Sequence, residues 1–279
     1  MPFEGWLVRH DGVWMVRGYE HPPGKLIVVP YRVPAGHTKG QERREYLECV
    51  GRSAFVVDRE RADLVDPAEA LKRAPLPAQA RELLDLIAPS WAGLTGSYAL
   101  GLQRPDSDVD LLVYTSRPHE AYRALVDLRE EGLVSDCRQD VRFEKERDSF
   151  TYDEFALLHP LKLLDSCFRG VPYTLRLLRF AEEMPCQSRF SPLGWVEFIG
   201  EVRGGEPYLT PAIYNVRADG MGDLLLMTWR TRYQELPEGR YLIRGLLQRD
   251  EVKGQLYVVP DLGGRVRPIE VRARQRDSA

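Results

Sequence analysis

Residues 94–114, LTGSYALGLQRPDSDVDLLVY, place two acidic residues at the start of an apolar strand, shortly after a Gly-Ser turn. Asp108 and Asp110 are two positions apart, so both carboxylates project from the same face of a strand. At roughly 5 Å and an effective dielectric constant of about 20, two such charges repel by about 3 kcal/mol. The pattern therefore predicts a positively charged partner for this acid pair.

The Gly-Ser turn supplies groups that suit a phosphate. Gly96 lets a phosphate approach the backbone, and free backbone N–H groups and the Ser97 hydroxyl are hydrogen-bond donors. Asp108 and Asp110 suit Mg²⁺ (or Mn²⁺), because Mg²⁺ binds one or two carboxylates together with phosphate oxygens. A phosphate-binding turn beside a metal-binding acid pair predicts metal-dependent phosphoryl or nucleotidyl transfer.

The ordered motif Gly-Ser, ten residues, Asp-x-Asp resembles the signature of the DNA polymerase β-like nucleotidyltransferase superfamily. The resemblance implies an α+β palm domain that transfers a nucleoside monophosphate from an NTP to an acceptor hydroxyl. It also implies that Gly96 and Ser97 hold the triphosphate, and that Asp108 and Asp110 bind the metal ions and are catalytic. The flanking β-rich segments and the run TPAIYNV are similar to an archaeal group of predicted nucleotidyltransferases.

A third carboxylate on a following strand is also implied by this resemblance. The clearest later strand, VPYTLRLLR, contains no acidic residue. Asp140 is the preferred catalytic candidate, because Asp140, Arg142 and Glu144 alternate with apolar residues as on a strand. Glu144 and Asp165 are the alternatives, and a solvated surface charge is the competing interpretation of Asp140.

Two further segments carry candidate binding residues. Arg176, in VPYTLRLLR, is a candidate for phosphate binding, with a surface arginine as the alternative. The C-terminal segment interleaves aromatic and arginine residues, a composition that suits stacking of single-stranded RNA or DNA. Aromatic residues in a small β domain can equally form its core. The residues concerned are Trp195, Tyr208, Tyr214, Trp229, Arg230, Arg232, Tyr233 and Tyr241.

Hydrophobic periodicity predicts three modules and an α+β fold. Residues 1–65 are β-rich, residues 66–185 alternate helices with strands and carry the motif, and residues 193–279 contain five short strands. The last module is expected to be a small OB-like β-barrel, with an SH3-like barrel or a sandwich as alternatives. The segment DEFALLHPLKLLDSCF is expected to be a helix with a break or kink at Pro160.

Composition places the chain among ordinary globular proteins. It has 279 residues, 43% of them hydrophobic, and a net charge of −3, which gives no general argument for nucleic-acid binding. The four cysteines form no CxxC pair, so a disulfide framework is not expected. A reduced, cytoplasmic setting is expected instead. The sequence contains no run of 18 apolar residues, so no membrane span is predicted. Asn215 is the only asparagine of the chain, and scarcity of this thermolabile residue suits a protein from a heat-adapted source.

Two functional hypotheses follow. The first is an Mg²⁺-dependent nucleotidyltransferase that uses an NTP and an acceptor hydroxyl on RNA, protein or a small molecule. The second is a catalytically weak protein of the same fold that binds nucleotides or single-stranded nucleic acid, since the third carboxylate is missing from its expected strand. The sequence indicates neither the acceptor nor the base preference nor the oligomeric state.

Overall fold

The computed structural model describes residues 3–33 and 44–271, which form a mixed α+β structure with three larger sheets. The first sheet is antiparallel and uses only strands from the first 65 residues, in the order β5-β6-β4-β2-β1-β7. The short β3 lies outside it and pairs with a later strand. The strands are β1 (Leu7–Arg9), β2 (Val13–Val16), β3 (Glu20–His21), β4 (Lys25–Arg32), β5 (Arg44–Leu47), β6 (Arg52–Asp58) and β7 (Asp63–Val65).

Two helices connect the first sheet to the second. Helix α1 (Pro67–Arg73) begins after Asp66, whose side chain accepts hydrogen bonds from the backbone N–H groups of Ala68 and Glu69 at 2.8 and 3.2 Å. Helix α2 (Ala78–Ile87) packs its buried residues on the second sheet. Both helices lie in the segment 66–185, which the sequence predicts to alternate helices with strands.

The second sheet has the order β10-β11-β12-β9-β8. Strands β9 and β12 run parallel, and the other pairs along this order are antiparallel. Helices α2 and α4 cover one face, where Val109, Leu111 and Val113 are fully buried. The elements are β8 (Trp91–Leu94), α3 (Gly96–Ala99), β9 (Val109–Tyr114), α4 (Pro118–Glu130), β10 (Val134–Ser135), α5 (Gln139–Glu146), α6 (Tyr152–Leu158), β11 (Asp165–Phe168) and β12 (Val171–Leu178).

Two local predictions in this region are wrong. Residues 139–146 form helix α5, because Arg142 and Glu146, four residues apart, are both buried on one helix face. The predicted break at Pro160 is present, since α6 ends at Leu158 and a 3₁₀ turn spans His159–Leu161, but the expected helix beyond it is wrong because strand β11 follows. Pro160 lacks an N–H donor, which favours such a helix end.

The third sheet closes on itself. Strands β14, β16, β17, β19 and β18 form a ring of pairings, since β14 pairs with both β16 and β18. Three of the six C-terminal aromatic residues singled out above, Tyr214, Tyr233 and Tyr241, are core residues of this sheet, each at most 2% exposed. The strands are β13 (Met184–Pro185), β14 (Phe190–Glu206), β15 (Leu209–Thr210), β16 (Ala212–Ala218), β17 (Gly222–Thr228), β18 (Gly239–Asp250), β19 (Gln255–Val259) and β20 (Arg265–Val271).

The three sheets are interlocked. Strand β13 pairs with β3, and β15 runs parallel to the end of β12. Buried Glu235 accepts hydrogen bonds from the Tyr122 hydroxyl at 2.8 Å and from the backbone N–H groups of Leu163 and Leu164 at 2.9 and 3.0 Å. Segments that follow residue 185 therefore contribute directly to the second sheet and its surroundings.

The prediction that the cysteines form no disulfide framework is wrong. All four cysteines are paired, as Cys49–Cys186 and Cys137–Cys167. The sequence separations of 137 and 30 residues explain why local spacing did not indicate the pairs. Among the described residues, no helix is both long enough and apolar enough to span a membrane.

Candidate active site

The Gly-Ser turn lies directly beside the first acidic residues of β9. Strands β8 and β9 are antiparallel, with Leu94 opposite Leu111. The backbone N–H of Thr95 donates to the backbone carbonyl of Asp110 at 2.9 Å. The turn that follows β8 and the acid pair at the start of β9 therefore occupy one edge of the sheet.

Gly96 is required at this turn for two reasons. Its φ of +68° lies in the left-handed region, which is costly for residues with a Cβ. A Cβ at this position would also overlap the Asp110 carboxylate. Ser97 follows it and is only 7% exposed. The backbone of the turn and the Asp110 side chain are thus in direct contact.

Asp108 and Asp110 share the sheet face opposite the helix-covered core, as the strand period requires. Burial, together with the charge of Asp108, raises the pKa of Asp110 to about 7. The cations around the pair include Lys145, whose Nζ is 3.5 Å from Asp108 Oδ2, and Arg176, which acts on Asp110 in the opposite direction to burial. These cations lower the pKa of Asp110 but do not cancel the combined effect of burial and of the Asp108 charge.

A third acid lies in the same row across the sheet. In the register of the strands, Asp110 of β9 is opposite Thr174 of β12, and Thr174 is opposite Asp165 of β11. The Thr174 hydroxyl lies 3.4 Å from Asp108 Oδ2 and 3.1 Å from Asp165 Oδ1. The Thr174 hydroxyl therefore lies between the carboxylates of Asp108 and Asp165.

Asp140 and Glu144, in contrast, are exposed on helix α5. Asp140 belongs to the first turn of this helix and not to a strand of the sheet. Asp165 was only an alternative at the sequence level, since the order of β11 beside β12 is not apparent from local pattern. The signal available was its place at the end of the run LLD, before a short apolar strand.

Asp165 is enclosed by two buried basic side chains. Arg142 forms an ion pair with Asp165 Oδ1 and is 6% exposed. His159 is 2% exposed, with Nδ1 3.0 Å from Asp136 Oδ1 and Nε2 3.9 Å from Asp165 Oδ2. Burial and the charge of Lys162 lower the pKa of His159 to about 4, so the ring is neutral at pH 7. A neutral imidazole has one N–H and can donate to only one of these carboxylates.

Arg176 reaches the site from β12 but is held by an N-terminal residue. Its guanidinium is 2.8 Å from Glu4 Oε1, and that of Arg17 is 2.7 Å from the same oxygen. The other oxygen of fully buried Glu4 accepts a hydrogen bond from the backbone N–H of Gly18 at 2.7 Å. Two guanidinium groups thus share one carboxylate, which leaves a surplus positive charge near Asp110.

The N-terminal segment also supports the Gly-Ser turn. The Thr95 hydroxyl donates to the carbonyl of Gly5 at 2.6 Å. Gly5 packs so closely on Leu112 that a Cβ would approach its side chain to 2.6 Å. Leu112 follows Asp110 on the same strand face. Sequence reasoning missed the contribution of Glu4, Gly5 and Arg17, since nothing in their local pattern links them to residues about 90 or more positions away.

Within residues 3–33 and 44–271, no three His, Cys, Asp or Glu side chains converge closely enough to hold a metal ion by themselves. The arrangement that is present is an acid pair beside a glycine turn, which suits a cation that also takes ligands from a phosphate. The donor types are all oxygen, as hard divalent cations require.

Comparison with protein families matches residues 79–172 to a nucleotidyltransferase domain. The match is consistent with membership of the polymerase β-like nucleotidyltransferase superfamily, the resemblance that the motif carries. It spans β8, the Gly-Ser turn, Asp108, Asp110 and Asp165. No curated protein and no solved structure matches the chain significantly.

Proposed function

We propose that this nucleotidyltransferase domain transfers a nucleoside monophosphate from an NTP to an acceptor hydroxyl, with Mg²⁺ or Mn²⁺ bound at Asp108 and Asp110. The observation that carries the proposal is the contact between the Gly96 turn and the Asp110 carboxylate. It brings a phosphate-binding backbone and a metal-binding acid pair within the reach of one triphosphate.

Each residue has a distinct role in this proposal. The backbone at Gly96 and the Ser97 hydroxyl donate hydrogen bonds to the triphosphate, and Arg176 contributes positive charge beside it. Asp108 and Asp110 hold the divalent ion, which when bound would neutralise charge on the attacking and leaving oxygens. The acceptor oxygen forms a bond to the α-phosphorus, the bond to pyrophosphate breaks, and the hydroxyl proton passes to a solvent water.

Asp165 is our proposed third carboxylate, in preference to Asp140. Its place in one row with Thr174 and Asp110 supports this choice, whereas Asp140 is exposed on helix α5. Thr174 connects it to Asp108 through a single hydroxyl. Asp165 is already engaged by Arg142, so it acts as a fixed negative charge that helps to hold the cation.

The same ion pair favours the second candidate function, a nucleotide-binding protein with weak catalysis. The ion pair with Arg142 keeps Asp165 from acting as a general base, and Lys145 competes with a metal ion for Asp108. A site in which these pairs persist would bind NTP and turn over slowly. The rate of transfer at saturating metal concentration separates the two functions.

The C-terminal module has a supporting role in our proposal. We propose boundaries of 1–65, 66–185 and 193–279, and an OB-like barrel for the last module; the ring of five strands, with β17 and β19 parallel, supports that topology. Trp195, which is 50% exposed with the Arg244 guanidinium 5.9 Å from its ring centroid, is the one aromatic residue of the predicted set that suits single-stranded nucleic acid.

The full chain is incubated with each α-labelled NTP, Mg²⁺ or Mn²⁺, and RNA, protein or small-molecule extracts. We expect pyrophosphate release and labelled acceptor, both lost in Asp110→Asn and retained in Asp140→Asn. Label on RNA, on protein or on a small molecule identifies the acceptor class. NTP binding without pyrophosphate release supports the binding protein, and neither binding nor release contradicts both functions.

A further inference from the structure

Helix α5 carries two basic side chains to two acids of the candidate site. Arg142 pairs with Asp165, and Lys145, one turn later, lies 3.5 Å from Asp108. Lys145 is 62% exposed, so its contact is weak, whereas Arg142 is buried. The position of α5 therefore determines chiefly how Asp165 is held.

Arg142 is fixed by the backbone of two strands as well as by Asp165. Its guanidinium donates to the carbonyl of Ser166 on β11 at 3.2 Å and to that of Tyr173 on β12 at 3.3 Å. A planar guanidinium with several partners holds a carboxylate in one orientation. Arg142 thus orients Asp165 toward Thr174, which contacts both acids.

The disulfide Cys137–Cys167 ties the beginning of α5 to the strand that carries Asp165. Cys137 lies two residues before the helix, and Cys167 lies two residues after Asp165 on β11. The Cα atoms are 5.9 Å apart. Arg138, between Cys137 and the helix, has a φ of +58°, so this connection has an uncommon backbone conformation that L-residues adopt at a cost.

His159 does not provide an equivalent restraint. Within the described chain neither of its ring nitrogens has a hydrogen-bond partner of good geometry, although the ring is buried. Its distance of 3.9 Å from Asp165 Oδ2 is too long for a hydrogen bond. Arg142 and the disulfide are therefore the groups that restrain Asp165 on the side of the helix.

We propose that Cys137–Cys167 and Arg142 form a brace that sets the position of the Asp165 carboxylate opposite Asp108. Reduction of this disulfide then weakens binding of a divalent cation at the acid site. The inference rests on the proposed function in one respect, the participation of Asp165 with Asp108 and Asp110. Arg142 is a positioning residue, which acts through Asp165.

A small dithiol such as dithiothreitol is the reductant in the test. Its thiolate attacks a sulfur of the disulfide, and a second exchange releases both cysteines as thiols and the dithiol as a cyclic disulfide. Two electrons and two protons pass to the cysteine sulfurs. Cys137 is half-buried, which gives the reagent its access.

The experiment measures Mn²⁺ affinity of the full chain by electron paramagnetic resonance. We expect Cys137→Ser/Cys167→Ser to weaken binding about tenfold, as does loss of residues that orient metal ligands. Cys49→Ser/Cys186→Ser is the matched control, because that disulfide joins the first sheet to the segment after β13. The control variant retains the disulfide Cys137–Cys167 and lacks the other one, so dithiothreitol can cleave only Cys137–Cys167. Its addition should therefore weaken Mn²⁺ binding about tenfold although neither Cys137 nor Cys167 is substituted.

Hydrogen exchange and a variant cycle separate positioning from general stability. We expect faster amide exchange in 139–146 after reduction, in metal-free protein. Arg142→Gln should weaken Mn²⁺ binding similarly, with partial recovery in Arg142→Lys. In the Asp165→Asn background, loss of the disulfide should have no further effect on affinity. Equal Mn²⁺ affinity with and without Cys137–Cys167, or an undiminished effect in Asp165→Asn, overturns the proposal.

The outcome is independent of turnover. If the wild-type chain transfers no nucleotide but loses Mn²⁺ affinity when the brace is opened, the enzyme assignment fails and the brace stands. If it transfers nucleotide and its Mn²⁺ affinity is the same with and without Cys137–Cys167, the proposed brace is wrong and the enzyme assignment stands.

Discussion

The Asp110 carboxylate fills the space in which a side chain on Gly96 would begin. Gly101, five residues later, has nearly the same φ, +69° against +68°, and no atom within 4 Å of its Cβ position. The two glycines thus differ in contact and not in conformation, which makes one a control for the other.

Gly96→Ala is expected to destabilise the protein more than Gly101→Ala. Both substitutions cost about 1–2 kcal/mol for a left-handed residue with a Cβ. Gly96→Ala adds about 1–3 kcal/mol, because the new methyl group displaces Asp110. Urea unfolding measures both free energies. Equal losses in the two variants would show that the Asp110 contact has no energetic weight.

Asp110→Asn is expected to stabilise the metal-free protein at pH 8. The folded state raises the pKa of Asp110 to about 7, so between pH 4 and 7 the folded chain binds more protons than the unfolded chain. Its stability therefore falls as the pH rises through this range, and the asparagine variant avoids roughly 2–4 kcal/mol of that loss.

Thermal unfolding with and without Mg²⁺ checks this expectation. The ion should stabilise the wild-type protein, since it binds only the folded state, and should have little effect on Asp110→Asn. A variant less stable than wild type at pH 8 without metal would contradict the charge-repulsion argument.

Glu4→Gln is expected to cost about 2–4 kcal/mol, because it leaves two guanidinium groups, whose side chains are only 16% and 15% exposed, without their shared carboxylate. Glu69→Gln is the matched control. Glu69 pairs with Lys72 and Arg73 on the exposed surface of α1, where solvent screens the ion pairs and loss of the charge should change stability little. Chemical denaturation of both variants gives the comparison. Similar small effects would mean that the junction between Glu4 and Arg176 contributes little.

His21→Asn is expected to reduce the acid sensitivity of the fold. Burial lowers the pKa of His21 from 6.5 to about 4, and its Nδ1 accepts a hydrogen bond from the Ile27 N–H at 3.2 Å. The unfolded chain therefore binds a proton first, and stability is lost as the pH falls from about 6.5 toward 4, by on the order of 3 kcal/mol.

Free energies of unfolding at pH 7 and pH 4.5 measure this loss. It should shrink in His21→Asn and stay unchanged in the control His119→Asn, whose side chain is exposed. An unaltered pH dependence in His21→Asn would show that other groups account for it.

Local sequence pattern was sufficient for the motif and for the elements around it. Periodicity predicted alternating helices and strands over 66–185 and located the strands β9 and β12, because both have clear apolar runs. It failed for residues 139–146, where five alternating residues fit a helix face as well as a strand. The disulfides, Asp165 and Glu4 depend on contacts between distant segments, and local spacing carries no signal for these.

The short strand β15 has a consequence for dissecting the chain. Leu177 and Leu178, at the end of β12, pair with Leu209 and Thr210. A fragment that stops at residue 185 loses this partner and leaves unsatisfied backbone groups beside two leucines, which is a surface prone to aggregation. The smallest piece that preserves the sheet is therefore longer than the stretch with the family signature, and insolubility of a shorter fragment would say nothing about its chemistry.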